Sequence, residues 1–218
     1  MVTTPDLIDG LCADLKPVRR LHSPLLRAAL WLLFAAAIVA FLAIFHRTRT
    51  DLALLLQAPG FTAALAGSLL TGTLAAVAAF QLSLPDRSRL WLLLPTPALV
   101  LWLSTIGYGC LTDWVSLGPD GVRLGSTLEC FATLLLVSLP PAAVLALMLR
   151  PTAWLDPTPV AMSGGLAVGG IAASAMSLLH DLDATVMVLG WTLGAAALIA
   201  MLSTLLGRRI FAAGPRPA

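Results

Sequence analysis

The chain has 218 residues, 59% of them hydrophobic and only 11% charged, against roughly a quarter charged in an ordinary soluble domain. So few charges cannot cover so much apolar surface in water, which argues against a soluble fold and for an all-α integral membrane protein. The net charge of +2 is small and the arginines do not interleave with aromatic residues, so nucleic-acid binding is not expected either.

Residues 1–24 read as a cytoplasmic N-terminal segment. Thr4-Pro5-Asp6 makes a good helix start, with a cap, proline in the first position and an acid in the first turn. Leu7, Ile8, Leu11, Cys12 and Leu15 then form an apolar stripe opposed by Asp6, Asp9 and Asp14, until Pro17 ends it. Gly10 costs this helix about 1 kcal/mol relative to alanine, and about a dozen residues are marginal as an isolated helix. The stripe therefore needs a surface. Helices lying on a membrane favour Lys and Arg on the polar face, whereas here three aspartates hold it and Lys16, Arg19 and Arg20 come only afterwards. A partner's groove fits better than the lipid surface, and a helix folded back on its own loops stays open. The first apolar run begins too late and runs too long for a secretory signal.

A hydrocarbon core of ~30 Å needs about 20 apolar residues per helix. Six stretches satisfy this within a transmembrane domain at 25–206: 25–45, 61–82, 90–111, 127–149, 158–179 and 186–206. The breaks carry turn signals, among them Ala58-Pro59-Gly60, Pro85-Asp86, Gly118-Pro119-Asp120-Gly121 and Pro157. With the N-terminus inside, Lys16, Arg19, Arg20, Arg27, Arg87, Arg89, Arg150, Arg208, Arg209 and Arg216 fall on the cytoplasmic side, and only Arg47, Arg49 and Arg123 fall outside. Ten against three is a clear positive-inside bias, which also places the 207–218 tail in the cytoplasm.

Helices in lipid associate through close contact of small residues. The fifth span offers Ala161, Gly165, Gly169, Ala173 and Ser177, the second Ala64, Ser68, Gly72 and Ala76, and the sixth Gly190 and Gly194. These faces suit internal packing, and they could also serve a homo-oligomer. Pro95, Pro97, Pro140 and Pro141 should kink the third and fourth spans, since each removes a backbone donor.

The span interiors hold no Asp, Glu, Lys, Arg or His; Arg27, Glu129 and Arg150 sit at ends, and Gln81 lies near one. A coupled transporter keeps such groups at depth, so a pump is not expected. No HExxH, phosphate loop or GxSxG is present. No catalytic residue, and no required cofactor, is therefore expected. Gly107-Tyr108-Gly109 falls within a full-length span and is not read as an ion filter.

Cys110 ends the third span and Cys130 lies one turn into the fourth. Consecutive antiparallel spans bring both to the same outer level, joined by the loop that holds Asp113-Trp114. A disulfide across such a loop contributes about 3 kcal/mol in the chain-entropy model, and an oxidising outer compartment permits it. His180 at the outer end of the fifth span could join the two thiols as a ligand set for a soft metal ion. A lone cysteine in a span is ordinarily a small buried hydrophobe, and for this pair both readings stay open.

Taken together these residues resemble the NrsF-type membrane anti-sigma factors of Gram-negative bacteria. The likeness runs from Leu7-Ile8-Asp9-Gly10-Leu11 and Pro17-Val18-Arg19-Arg20-Leu21 through Ser88-Arg89, Gly109-Cys110, Asp113-Trp114, Cys130 and Pro140-Pro141 to Asp183-Ala184. It implies a multi-pass inner-membrane regulator that holds an extracytoplasmic-function sigma factor until stress arrives. By the same resemblance Cys110 and Cys130 are the sensing thiols for heavy metals or oxidants, with a heavy-metal ion bound transiently. The favoured sigma contact is the N-terminal segment, with Leu7, Ile8, Leu11, Leu15, Arg19 and Arg20. The alternatives are a small-molecule transporter or channel, or a structural membrane subunit that binds no sigma factor.

Overall fold

The computed structural model describes residues 22–45, 51–105, 127–150 and 157–179, together with Thr4, Cys12 and Ala13; for 127–132 it describes the backbone alone. Every regular element among the described residues is helical. They are α1 (Pro24–Phe45), the single turn α2 (Leu52–Leu55), α3 (Pro59–Leu82), a 3-10 turn at Arg89–Leu93, α4 (96–105), α5 (Thr127–Leu149) and α6 (Pro157–Leu179). α1, α3 and α6 are long and apolar enough to cross a membrane; the apolar stretches at Arg89–Thr105 and Thr133–Leu149 are shorter. The expected sixth span, 186–206, lies outside the described residues.

Local chemistry sets the boundaries. α3 starts where Ala58 is extended and Pro59 occupies the first helical position, where a missing N–H costs nothing. It stops at Ser83, whose hydroxyl turns back to the Phe80 carbonyl at 2.8 Å. Ser88 then accepts from the Leu90 N–H at 3.2 Å and opens the 3-10 turn. The third expected span is thus not one regular helix. Pro95 offers no donor and crowds the preceding turn, so α4 begins beyond it, with the Leu99 N–H reaching the Pro95 carbonyl at 2.9 Å. By contrast, α5 continues through Pro140 and Pro141.

Two apolar cores stack along the bundle. One joins Ala28, Trp31 and Ala35 of α1 to Ala75, Ala76, Ala79 and Phe80 of α3, Leu145 and Leu149 of α5, and Val160, Ala167 and Ile171 of α6. The other joins Leu42 of α1 to Trp102 of α4, Leu134 and Val137 of α5, and Ala172, Ala173, Ala175, Met176 and Leu179 of α6. The start of α1 therefore lies level with the ends of α3 and α5 and the start of α6, an antiparallel alternation. Leu33, Phe41 and Ile44 of α1, Leu69 and Leu70 of α3, and Leu136, Leu139 and Leu147 of α5 face outward. An apolar outer surface of this kind suits lipid.

α3 and α6 form the tightest seam. A Cβ added at Gly170 would lie 2.7 Å from the Gly72 nitrogen and the Ser68 carbonyl oxygen, and one at Gly72 2.9 Å from the Ile171 nitrogen. The backbones thus touch where only glycine fits. Beside this crossing the Ser68 and Ser174 hydroxyls pair at 2.8 Å. The expected stripe on the second span is used at Ser68, Gly72 and Ala76, all buried. On the fifth span the expectation holds only in part. Ala173 of the expected stripe is buried, but so are Ser163, Ala167, Gly170 and Ser174 off it, whereas Ala161, Gly165, Gly169 and Ser177 are only half-buried. Small residues surround this helix on several sides, so four-residue spacing alone does not single out a face. The Gly72–Gly170 approach and the serine pair do.

Candidate functional site at the Arg27 end of the bundle

The residues expected to sense and to bind sigma fall largely outside the described residues: Cys110, His180, Leu7, Ile8, Leu11, Leu15, Arg19 and Arg20 all do. Cys130 stands in the first turn of α5, with only its backbone described. Leu134, four residues on, shares a core with Leu179, the residue before His180. In the N-terminal segment Thr4, Cys12 and Ala13 are helical and exposed. Among the described residues no group of three or more His, Cys, Asp and Glu side chains is placed to hold a metal ion.

What the bundle does build is a polar cluster at the opposite end of α5. The N-terminal segment enters α1 through Ser23, whose carbonyl accepts from the Arg27 N–H at 3.1 Å. One turn later, Arg27 and Trp31 project from the same face of α1, because residues four apart align on a helix. Sequence alone put Arg27 at a span end, where an arginine ordinarily reaches water. It is instead only 6% exposed. Its guanidinium donates to the Met148 carbonyl and lies over the Phe80 ring, 5.1 Å from the centroid.

Each part of this contact has a physical cause. Met148 is in the last turn of α5, where the carbonyls lack intrahelical partners and carry the negative end of the helix dipole. A cation there satisfies an orphan acceptor and the dipole together. The Phe80 face adds cation–π attraction, about 0.5–2 kcal/mol depending on how dry the site is. Trp31, fully buried, donates its indole N–H to the Pro141 carbonyl at 2.9 Å. Beside Phe80, Gln81 is buried with its Oε1 lacking a hydrogen-bond partner, as does the buried Ser163 Oγ of α6.

Arg27, Trp31 and their α5 acceptors were not singled out from sequence. The available signal was the four-residue spacing of an arginine and a tryptophan within the first turns of a span.

The fold and this site define a helical membrane protein with an arginine buried near the start of its first long helix. The family model for NrsF, negative regulator of sigma F, matches residues 11–212, and the chain belongs to that family. It is thereby a negative regulator of a sigma factor, with a sigma factor as its partner. No curated protein and no solved structure matches the chain.

Proposed function

We propose that this protein is a multi-pass anti-sigma factor of the bacterial inner membrane, crossing it six times with both termini in the cytoplasm. It sequesters an extracytoplasmic-function sigma factor, gripping it through Leu7, Ile8, Leu11 and Leu15 with Arg19 and Arg20 alongside. Release follows chemistry at Cys110 and Cys130 on the outer face. A heavy-metal ion binds the two thiolates, with His180 as a further ligand, or an oxidant joins them in a disulfide and takes up two electrons and two protons. The protein performs no catalysis and holds no resident cofactor.

Family membership across 11–212 carries the reading. It is supported by the ten-to-three bias of basic residues, by the aspartate-faced apolar stripe before Pro17, and by the matched span positions of Cys110 and Cys130. The common core of Leu134 and Leu179 brings the α5 end that carries Cys130 near the α6 end that precedes His180.

Affinity capture from membranes tests the sigma contact. The intact chain should retain a sigma factor, and a variant with alanine at Leu7, Ile8, Leu11 and Leu15 should lose it. Recovery of no sigma factor with the intact chain would overturn the reading. For the thiols, serine at both Cys110 and Cys130 should leave a repressor that no longer answers metal or oxidant. A double-serine protein that still responds normally sinks the sensing step.

A further inference from the structure

We propose that Arg27 and Trp31 are positioning residues, a two-point latch that fixes α1 against α5 and so sets where the N-terminal segment is presented. The inference rests on the proposed sigma contact for its consequence, though the latch itself is geometric.

Both contacts run from α1 side chains to α5 backbone carbonyls: Arg27 to Met148 and Trp31 to Pro141 at 2.9 Å. Backbone acceptors make this latch sensitive to the path of α5 rather than to one of its side chains. The two points also differ in kind. Met148 lies in the final turn, so its carbonyl moves whenever the end of α5 shifts. Pro141 lies at a weak point of the helix, because the two prolines remove the donors that the Leu136 and Val137 carbonyls would otherwise receive.

That weak point coincides with the boundary between the two cores. Leu134 and Val137, before the prolines, belong to one core; Leu145, after them, belongs to the other. The half of α5 that carries Cys130 and the half gripped by Arg27 thus belong to different cores, which meet at Val39 of α1, and are joined through Pro140-Pro141. A change at the Cys130 end can alter the joint without dismantling the second core. Arg27 then loses its acceptor and is left as a buried, unpaired cation, a strongly unfavourable state. α1 must move to rehydrate it. The Ser23 turn, which ties Arg27 to the incoming segment, moves with it.

The test uses the full chain in its membrane. Arg27→Met keeps most of the stem but removes the donors; Trp31→Phe keeps a ring but removes the indole N–H. Arg27→Met should raise sigma-dependent transcription in unstressed cells by about tenfold, the ratio that one lost hydrogen bond to a charged group supports, and Trp31→Phe by about fivefold, since its bond is between neutral groups. Arg27→Lys, which keeps a charged donor, should restore repression in part. The same rise should occur when Cys110 and Cys130 are both serine, because the latch acts after the thiols. Protein abundance in the membrane fraction should equal that of the parent.

An independent reading comes from spin labels at Leu26→Cys on α1 and Leu147→Cys on α5, with the native cysteines replaced by serine in reconstituted protein. The distance distribution should widen with Arg27→Met and with Trp31→Phe. An unchanged distribution overturns the latch whatever the sigma assay reports. A widened distribution with unaltered repression overturns the coupling and leaves the sigma reading intact. A parent chain that represses nothing overturns the functional reading instead, and the coupling with it.

Discussion

Gly170 and Gly60 ask the same question of a methyl group and should give opposite answers. At Gly170 the added carbon meets backbone atoms of α3 at 2.7 Å, and backbone cannot swing aside as a side chain can. Gly170→Ala must therefore separate α3 from α6, at a cost of about 1–3 kcal/mol from overpacking, and should strain the Ser68–Ser174 pair. Nothing lies within 4 Å of a Cβ at Gly60. Alanine there reduces only the freedom of the unfolded chain and should be neutral or stabilising, by at most about 1 kcal/mol. Unfolding midpoints in detergent, measured for both variants, should move in opposite directions or leave Gly60→Ala unmoved. For the serines, a double-mutant cycle with Ser68→Ala and Ser174→Ala should return a coupling of about 0.6 kcal/mol, the usual value between membrane helices. Close backbone packing at Gly72 and Gly170, rather than one strong bond, holds this seam.

Individual elements were legible to different degrees, for identifiable reasons. Hydrophobic length located α1, α3, α5 and α6 within a residue or two, because a long apolar run has few other stable states in lipid. Pro59 and Pro157 marked starts because proline is tolerated in the first turn. The 3-10 turn at Arg89–Leu93 was hidden inside a run that reads as continuous, although Pro95 and Pro97 signalled disturbance there. Which face of α6 packs was not legible, since glycine and alanine occur on several sides and the choice depends on Gly72 across the seam. The burial of Arg27 was not legible, because a span-end arginine ordinarily snorkels to water. Its burial depends on the Met148 carbonyl and the Phe80 ring, neither of which is close in sequence.

The proline pair in α5 gives this scale its own prediction. Pro140→Ala supplies a backbone donor in the middle of a helix while leaving the Pro141 carbonyl available to Trp31. It should raise the unfolding midpoint of the purified protein, in line with the large penalty proline carries in a helix interior. A stiffer joint should also blunt induction, so that stressed cells reach a lower transcriptional output than the parent at equal membrane abundance. Full induction in a stabilised Pro140→Ala protein would show that α5 does not flex there during signalling.

On the scale of the whole molecule the proposed function stands on sidedness. An even number of crossings returns both termini to one side, and the basic residues assign that side to the cytoplasm. Under the proposed topology, the antiparallel order of α1, α3, α4, α5 and α6 would put the Arg27 end in the cytoplasm and the Leu42 end outside, with Cys130 at the outer end of α5. Cys12 and Cys130 should accordingly lie on opposite sides of the bilayer. Single-cysteine variants separate the three thiols and prevent any disulfide from masking the result. In intact spheroplasts a membrane-impermeant maleimide should label proteins retaining only Cys110 or only Cys130. A protein retaining only Cys12, which is exposed in the structure, should be labelled only after the membrane is opened. The reverse pattern would put the apolar stripe of the N-terminal segment on the outside, where no sigma factor exists, and the relay could not operate. Labelling of all three from outside would mean an odd number of crossings between residue 12 and residue 110 is wrong, and the third crossing would have to be reassigned. The third span is where such an error would arise, since it starts as a 3-10 turn and becomes α-helical only beyond Pro95.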